Sequence, residues 1–162
     1  MNMQNRTVRI PIWSGELGTL QTMQMMRSLA LESLNSRRLV NLASKFFAKP
    51  DVLNSVEKFL RSKFQYVDEK VETLVTPDYM LQGLEINGQL RGDCDDISTL
   101  HAAILTALEI KTRFVAIRSV HDNPNYDHVF IEAYNGSDWI IYDMTVKPGT
   151  ILEWYSRIVV NV

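Results

Sequence analysis

The spacing of apolar residues changes along this chain, and that change limits the architectures open to it. From about Thr19, the positions Leu20, Met23, Arg27, Ala30, Leu31 and Leu34 follow helical intervals. Asn35 and Ser36 interrupt the run, and Ser36 can cap a second helix carrying Leu39, Val40, Ala43, Phe46 and Phe47. Lys49-Pro50-Asp51 ends that helix and caps a third, with Val52, Val56, Phe59 and Leu60 on one face. Residues 64–92 read as mostly irregular, punctuated by Pro77, Gly83, Gly88 and Gly92. A fourth helix is expected over 94–108, with Ile97, Leu100, His101, Ile104, Leu105 and Leu108 as its buried stripe. Beyond it the period becomes two: 114–120, 129–134 and 139–142 read as strands, and 151–162 as a further one. Residues 7–13 alternate loosely, and Pro11 would confine a strand there to a sheet edge. Helices first and antiparallel strands later make an α+β layout.

With 162 residues the chain is expected to form one domain, residues 1–162, with a sizeable core. Met23, Met25 and Met26 read as core filler. A net charge of −2 announces no basic face, which argues against a nucleic-acid partner. No stretch is long and apolar enough to span a bilayer, so no membrane partner is expected. The first residues lack the apolar segment of a secretory signal, which points to a cytoplasmic location.

Cys94 is the one cysteine, so no internal disulfide can form. It is either an inert buried hydrophobe or a reactive thiol. Its neighbours, Gly92, Asp93, Asp95 and Asp96, are too polar for a core slot, which favours the reactive reading. Asp93 is a natural N-cap and Asp96, three residues on, echoes a capping box. The sulfur would then sit in the first turn of a helix, where free N–H groups and the dipole favour a thiolate. The three carboxylates act the other way, because nearby negative charge raises a thiol pKa. A helix dipole contributes about 0.3–1 kcal/mol at an exposed site. A protonated histidine would have to tip the balance toward a thiolate that forms below the ordinary thiol pKa of about 8.5.

Asn135-Gly136 is a strong signal for a two-residue hairpin loop. With those residues as the loop, His128 falls opposite Asp143, and opposed Cβ atoms lie about 4.5–5.5 Å apart on one face. A four-residue loop would shift the register by two and keep both residues on one side. If that face packs on the start of the Cys94 helix, nucleophile, base and orienting group form a chain.

Two segments, GDCDDISTLHAAILTALEIKTRFVAIRSV and DHVFIEAYNGSDWIIYDMT, resemble the transglutaminase-like superfamily of papain-like thiol enzymes. In that family a Gly-x-Cys opens a helix, a histidine starts a strand and an aspartate closes the next, often as Trp-x-x-x-Asp-Pro-Thr. Trp139, Asp143 and Thr145 match, with Met144 in place of the proline. YVDEKVETLVTPDYML resembles bacterial and phage-encoded members, for which a virion or host cytoplasm would be the location. The resemblance covers roughly residues 64–146, the catalytic core, with 17–63 as helical support. It implies a papain-like fold in which the nucleophile helix packs on an antiparallel sheet, a Cys94–His128–Asp143 triad, and supporting roles for Asp93, Asp96 and Trp139. Many relatives carry Gly and Pro after the cysteine helix, where this chain has Glu109 and Lys111. The calcium-dependent cross-linking enzymes have tryptophan after the cysteine, where this chain has Asp95. Small microbial members are often thiol proteases or amidases, so a peptide or protein substrate is expected.

Three functional classes remain open at this point. They are a cysteine protease or amidase working through a thioester, a transamidase with the same triad, and a non-catalytic module, for instance phage-associated. Gln89 is a candidate second oxyanion donor beside the Cys94 N–H, with a solvated loop residue as the alternative. His101 reads as a satisfied core histidine and His121 as solvated. Asp93, Asp95 and Asp96 could hold calcium, but capping explains Asp93 and Asp96 without metal, and no paired zinc spacing is present. The expectation is an enzyme with no cofactor.

Overall fold

A computed structural model of the protein describes residues 7–9, 15–68, 71 and 73–162. In chain order it contains β1 (Thr7–Arg9), α1 (Gly15–Ser33), α2 (Arg37–Ser44), α3 (Val52–Lys63), β2 (Phe64–Tyr66), β3 (Thr73–Val75) and α4 (Pro77–Asn87). There follow β4 (Leu90–Gly92), α5 (Cys94–Ala107), β5 (Thr112–Arg118), β6 (His128–Tyr134), β7 (Trp139–Tyr142) and β8 (Ser156–Asn161). The expected α+β class holds. Of the strand expected over 7–13, residues 7–9 are seen and 10–13 lie outside the described residues.

Local chemistry sets the helix starts. The Ser36 side chain accepts from the Leu39 N–H and that of Asp51 from the Asn54 N–H, each capping the helix behind it. The segment read as irregular is the main departure. It holds α4 and three-residue strands on either side. Pro77 is not loop punctuation but the first residue of α4, behind a Thr76 cap, and Gly88 ends that helix in the left-handed conformation at φ 73°. Phe47, expected on the second helix, lies beyond the end of α2 and is 78% exposed.

Strands β7-β6-β5-β8 form a four-stranded antiparallel sheet, while β1 pairs with β3 and β2 runs parallel to β4. Helix α5 lies at the centre, packed on the sheet and on α1 and α2. Every residue from Asp95 to Leu105 is buried, so this helix carries no solvent face and its apolar stripe is continuous around it. Met23, Met26, Leu39, Leu100, Phe114 and Ile131 belong to the core that α5 organises, and the methionine expectation is met for the first two.

The exit of α5 shows what replaces glycine. The Ile110 N–H donates to Leu105 O (2.9 Å) and the Glu109 N–H to Thr106 O (3.0 Å), a Schellman closure. Its left-handed position is held by Glu109 at φ 60°. A side chain there costs about 1–2 kcal/mol, partly offset by the backbone entropy glycine would lose. Glu109→Gly is therefore expected to stabilise the fold by roughly 0.5–1 kcal/mol and raise the melting temperature by about 2 °C. Calorimetry of the two proteins checks this; a lower melting temperature in the variant would refute it.

Candidate active site

Cys94 is the first residue of α5. The Asp93 carboxylate accepts from the N–H groups of Asp95 (3.2 Å) and Asp96 (3.5 Å), and the Asp96 carboxylate in turn accepts from the Asp93 N–H (3.2 Å). This is the expected capping box with aspartate in both roles. Asp96 is fully buried and also accepts from the Val75 N–H (2.6 Å), tying the helix start to β3. A Cβ on Gly92 would lie 2.6 Å from Asp96 Oδ2, so the capping box requires glycine at that position. Oxygens of Asp93, Asp95 and Asp96 lie within 4.8 Å of one another, but those of Asp93 and Asp96 are engaged in the cap.

The thiol is not the depressed one the sequence suggested. Burial, then Asp95, Asp93 and Asp143, push Cys94 up to about 12 against the opposing Val129 N–H. The dipole contribution of about 0.3–1 kcal/mol is too small to reverse desolvation of that size. Such a group rests as a neutral thiol.

His128 opens β6 and its Nε2 is hydrogen-bonded to Oδ2 of Asp143, the residue after β7. The hairpin reaches this by another register than expected. Tyr134 pairs with Trp139 and Glu132 with Ile141, leaving a loop of residues 135–138. The Asn135 side-chain oxygen accepts from the N–H groups of Ser137 and Asp138 (both 2.8 Å) and closes that longer turn. The register moves by two, so imidazole and carboxylate stay on one side and meet diagonally rather than directly opposed.

Asp143 is 5% exposed. Burial raises its carboxyl, but the His128 ring and the Thr145 hydroxyl and N–H outweigh this and hold it below the usual carboxylate range. Oδ1 accepts the Thr145 N–H (2.9 Å) and hydroxyl (2.7 Å).

The expectation that the His128 face packs on the cysteine helix is corrected. Val129, Ile131 and Ala133 face the core containing α5. His128 shares the opposite face with Phe130, opposed to Ile117 and Val115, and that face is covered in part by Leu152. The Cys94 sulfur instead lies at the Val129 N–H, one residue along β6 from His128, and within the field of Asp143. No hydrogen bond joins the sulfur to the ring among the described residues.

The other sequence candidates fall outside this point. Trp139 lies at the loop end of β7, its ring under the Arg113 guanidinium at 4.1 Å, and so braces the hairpin rather than the carboxylate. Gln89 is exposed and separated from Cys94 by β4, about 10 Å of extended chain. His121 is exposed beside Asp122, as expected. His101 is a core histidine packed edge-on against Tyr142 at 5.6 Å, but its buried Nε2 has no hydrogen-bond partner among the described residues, so it is not satisfied. Two residues went unread. Tyr66, paired with Gly92 across β2 and β4, has its phenol raised by burial and then by the charge of Cys94 and its acidic neighbours. Arg61 of α3 donates to the backbone oxygens of Asp143 (2.8 Å) and Val146 (2.7 Å). Separations of 82 and 85 residues leave no local signal for such contacts.

The transglutaminase-like superfamily core matches residues 41–144, which contain Cys94, His128 and Asp143. The chain belongs to the transglutaminase-like superfamily. Its structure is similar to that of a candidate cysteine protease from Cytophaga hutchinsonii, with a TM-score of 0.53 and 25% identity. The likeness covers 66% of this chain and 36% of that protein, so the chain spans about a third of its neighbour's length. No curated protein matches the chain. The superfamily match and the neighbour both point to a family of thiol enzymes. No helix among the described residues is long and apolar enough to cross a membrane.

Proposed function

We propose that this transglutaminase-like protein is a cysteine protease or amidase in which Cys94 is the nucleophile, His128 the base and Asp143 the orienting carboxylate. The observation that carries the reading is a carboxylate-bonded imidazole at the strand end where a helix-N-terminal thiol lies. An ionised carboxylate accepts and does not donate, so Nε2 of His128 carries the proton of that bond and Nδ1 keeps its lone pair. Because the thiol is neutral at rest, attack is coupled to proton transfer from sulfur to Nδ1, which follows approach of the ring to the sulfur. The sulfur bonds to the amide carbonyl carbon and the carbonyl oxygen becomes an oxyanion. The cap engages the N–H groups of Asp95 and Asp96 and leaves that of Cys94 to stabilise it. Collapse expels the amine, which takes the proton from His128, and leaves a thioester. Water, deprotonated by the same nitrogen, then releases the acid and restores the thiol. No metal is needed for any of these steps.

The test follows amine release from a peptide library by mass spectrometry and alkylation of Cys94 by iodoacetamide across pH. Wild type is expected to turn peptides over and Cys94→Ala to release nothing. Alkylation is expected to climb with pH well beyond 8.5, as for a raised thiol. Equal amine release by the two proteins would overturn the enzyme reading. An alkylation plateau below pH 8 would overturn the proton-coupled attack.

A further inference from the structure

Asp143 lies one residue past the end of β7, where the ladder with β6 stops at the Ile131–Tyr142 pair. Among the described residues, no strand partner therefore fixes its peptide. Thr145 holds the Oδ1 oxygen within the turn that follows, but both residues belong to that turn, so these bonds set the carboxylate relative to its own segment and not relative to His128. The segment has to be anchored from outside, and Arg61 does this. It stands in the last turn of α3. Its Nη2 donates to Asp143 O (2.8 Å) and its Nη1 to Val146 O (2.7 Å), one contact at each end of the turn. Its Nε donates to Glu57 (2.9 Å), one helical turn earlier, which fixes the plane of the guanidinium. The group is 21% exposed, so water competes weakly for these bonds.

We propose that Arg61 is the positioning residue of the triad, clamping the Asp143–Val146 turn to α3 so that the carboxylate meets Nε2 of His128. The inference rests on the triad reading above. Arg61 acts through backbone oxygens and touches neither the thiol nor the imidazole in any described hydrogen bond. A planar fork bridges two carbonyls at once, whereas a lysine ammonium on a flexible stem is a single point donor. Arg61→Lys keeps the charge but loses the bridge.

The test compares wild type, Arg61→Lys and Arg61→Met, each full length, by two readouts. One is steady-state peptide hydrolysis. The other, independent of activity, is the downfield NMR proton resonance of the His128 Nε2–Asp143 bond, assigned with Asp143→Asn. Displacing a catalytic group by about 1 Å costs up to 100-fold, so Arg61→Lys is expected to lower kcat by roughly 10- to 100-fold with KM little changed. The resonance is expected to weaken or exchange-broaden in the same variant while its melting stays cooperative. Should Arg61→Met fail to fold, Arg61→Lys carries both readouts. An unchanged kcat in Arg61→Lys, or a reduced kcat with the resonance intact, overturns the clamp while leaving the triad standing. If wild type hydrolyses no peptide the hydrolase reading fails, and the resonance alone then decides for or against the clamp.

Discussion

Asp143→Asn is expected to lower kcat by about 10⁴-fold while the protein folds normally, the scale seen when a triad carboxylate becomes an amide. Oδ1 accepts two hydrogens from Thr145, and an asparagine carbonyl oxygen can do the same. That fixes the orientation of the amide and places its NH₂ where Oδ2 now faces Nε2 of His128. An NH₂ only donates, so Nε2 must become the acceptor and the ring proton moves to Nδ1. Nδ1 is the nitrogen proposed to receive the Cys94 proton, and with a proton already on it the base is disabled. Single-turnover acylation under saturating peptide, beside a urea melt, is the measurement. A loss under tenfold in a well-folded variant would mean that Asp143 does not set the tautomer.

Features governed by a few consecutive residues were legible in the sequence. The caps at Ser36, Asp51 and Asp93 depend on a short polar side chain and an N–H two or three residues on, and each forms as expected. The hairpin was half legible. Asn-Gly favours a two-residue loop, but the Asn135 carbonyl satisfies two N–H groups of a longer one. Both loop lengths are even, so His128 and Asp143 stay on one side of the hairpin with either. The face of β6 was not legible at all. Five successive residues, Val129 to Ala133, are buried, so both sides of the strand are apolar or paired and alternation cannot say which side α5 takes. Glu132 holds its place on the far side by pairing with Arg113 (2.6 Å) and Arg157 (3.1 Å), contacts made across neighbouring strands.

The thiol shows a different limit. The acids flanking Cys94 can be counted in the sequence, and their sign is plain. The largest cause of its shift is burial, and burial depends on tertiary packing around the helix start, including the Val129 end of β6. In the proposed chemistry, that changes the demand on His128 from stabilising an existing thiolate to accepting a proton during attack. It also explains why the position of the Asp143 peptide, which the sequence leaves unmarked, matters to the proposed chemistry.

Acid is expected to destabilise this fold through His101. Burial, then the nearby Arg61 charge, lowers this imidazole from its ordinary 6.5 to about 3 in the folded protein. The unfolded chain therefore binds a proton at His101 before the folded one does. Stability is at its full value above pH 6.5 and falls, as pH drops, at about 1.4 kcal/mol per unit until the folded histidine protonates near pH 3. Between pH 7 and pH 4 the loss through this one group is about 3 kcal/mol. Asp143 acts in the same direction, since its carboxyl is held low, but its contribution is lost mainly below the ordinary carboxylate range, so the window from 7 to 4 chiefly reports the histidine. His101→Phe keeps a ring against Tyr142 and removes both the titrating group and an Nε2 that has no hydrogen-bond partner among the described residues. The variant is expected to match or exceed wild type by about 1 kcal/mol at pH 7 and to lose about 3 kcal/mol less on acidification. Urea unfolding of both proteins at the two pH values measures this, and equal losses would show that His101 is hydrated or hydrogen-bonded in solution.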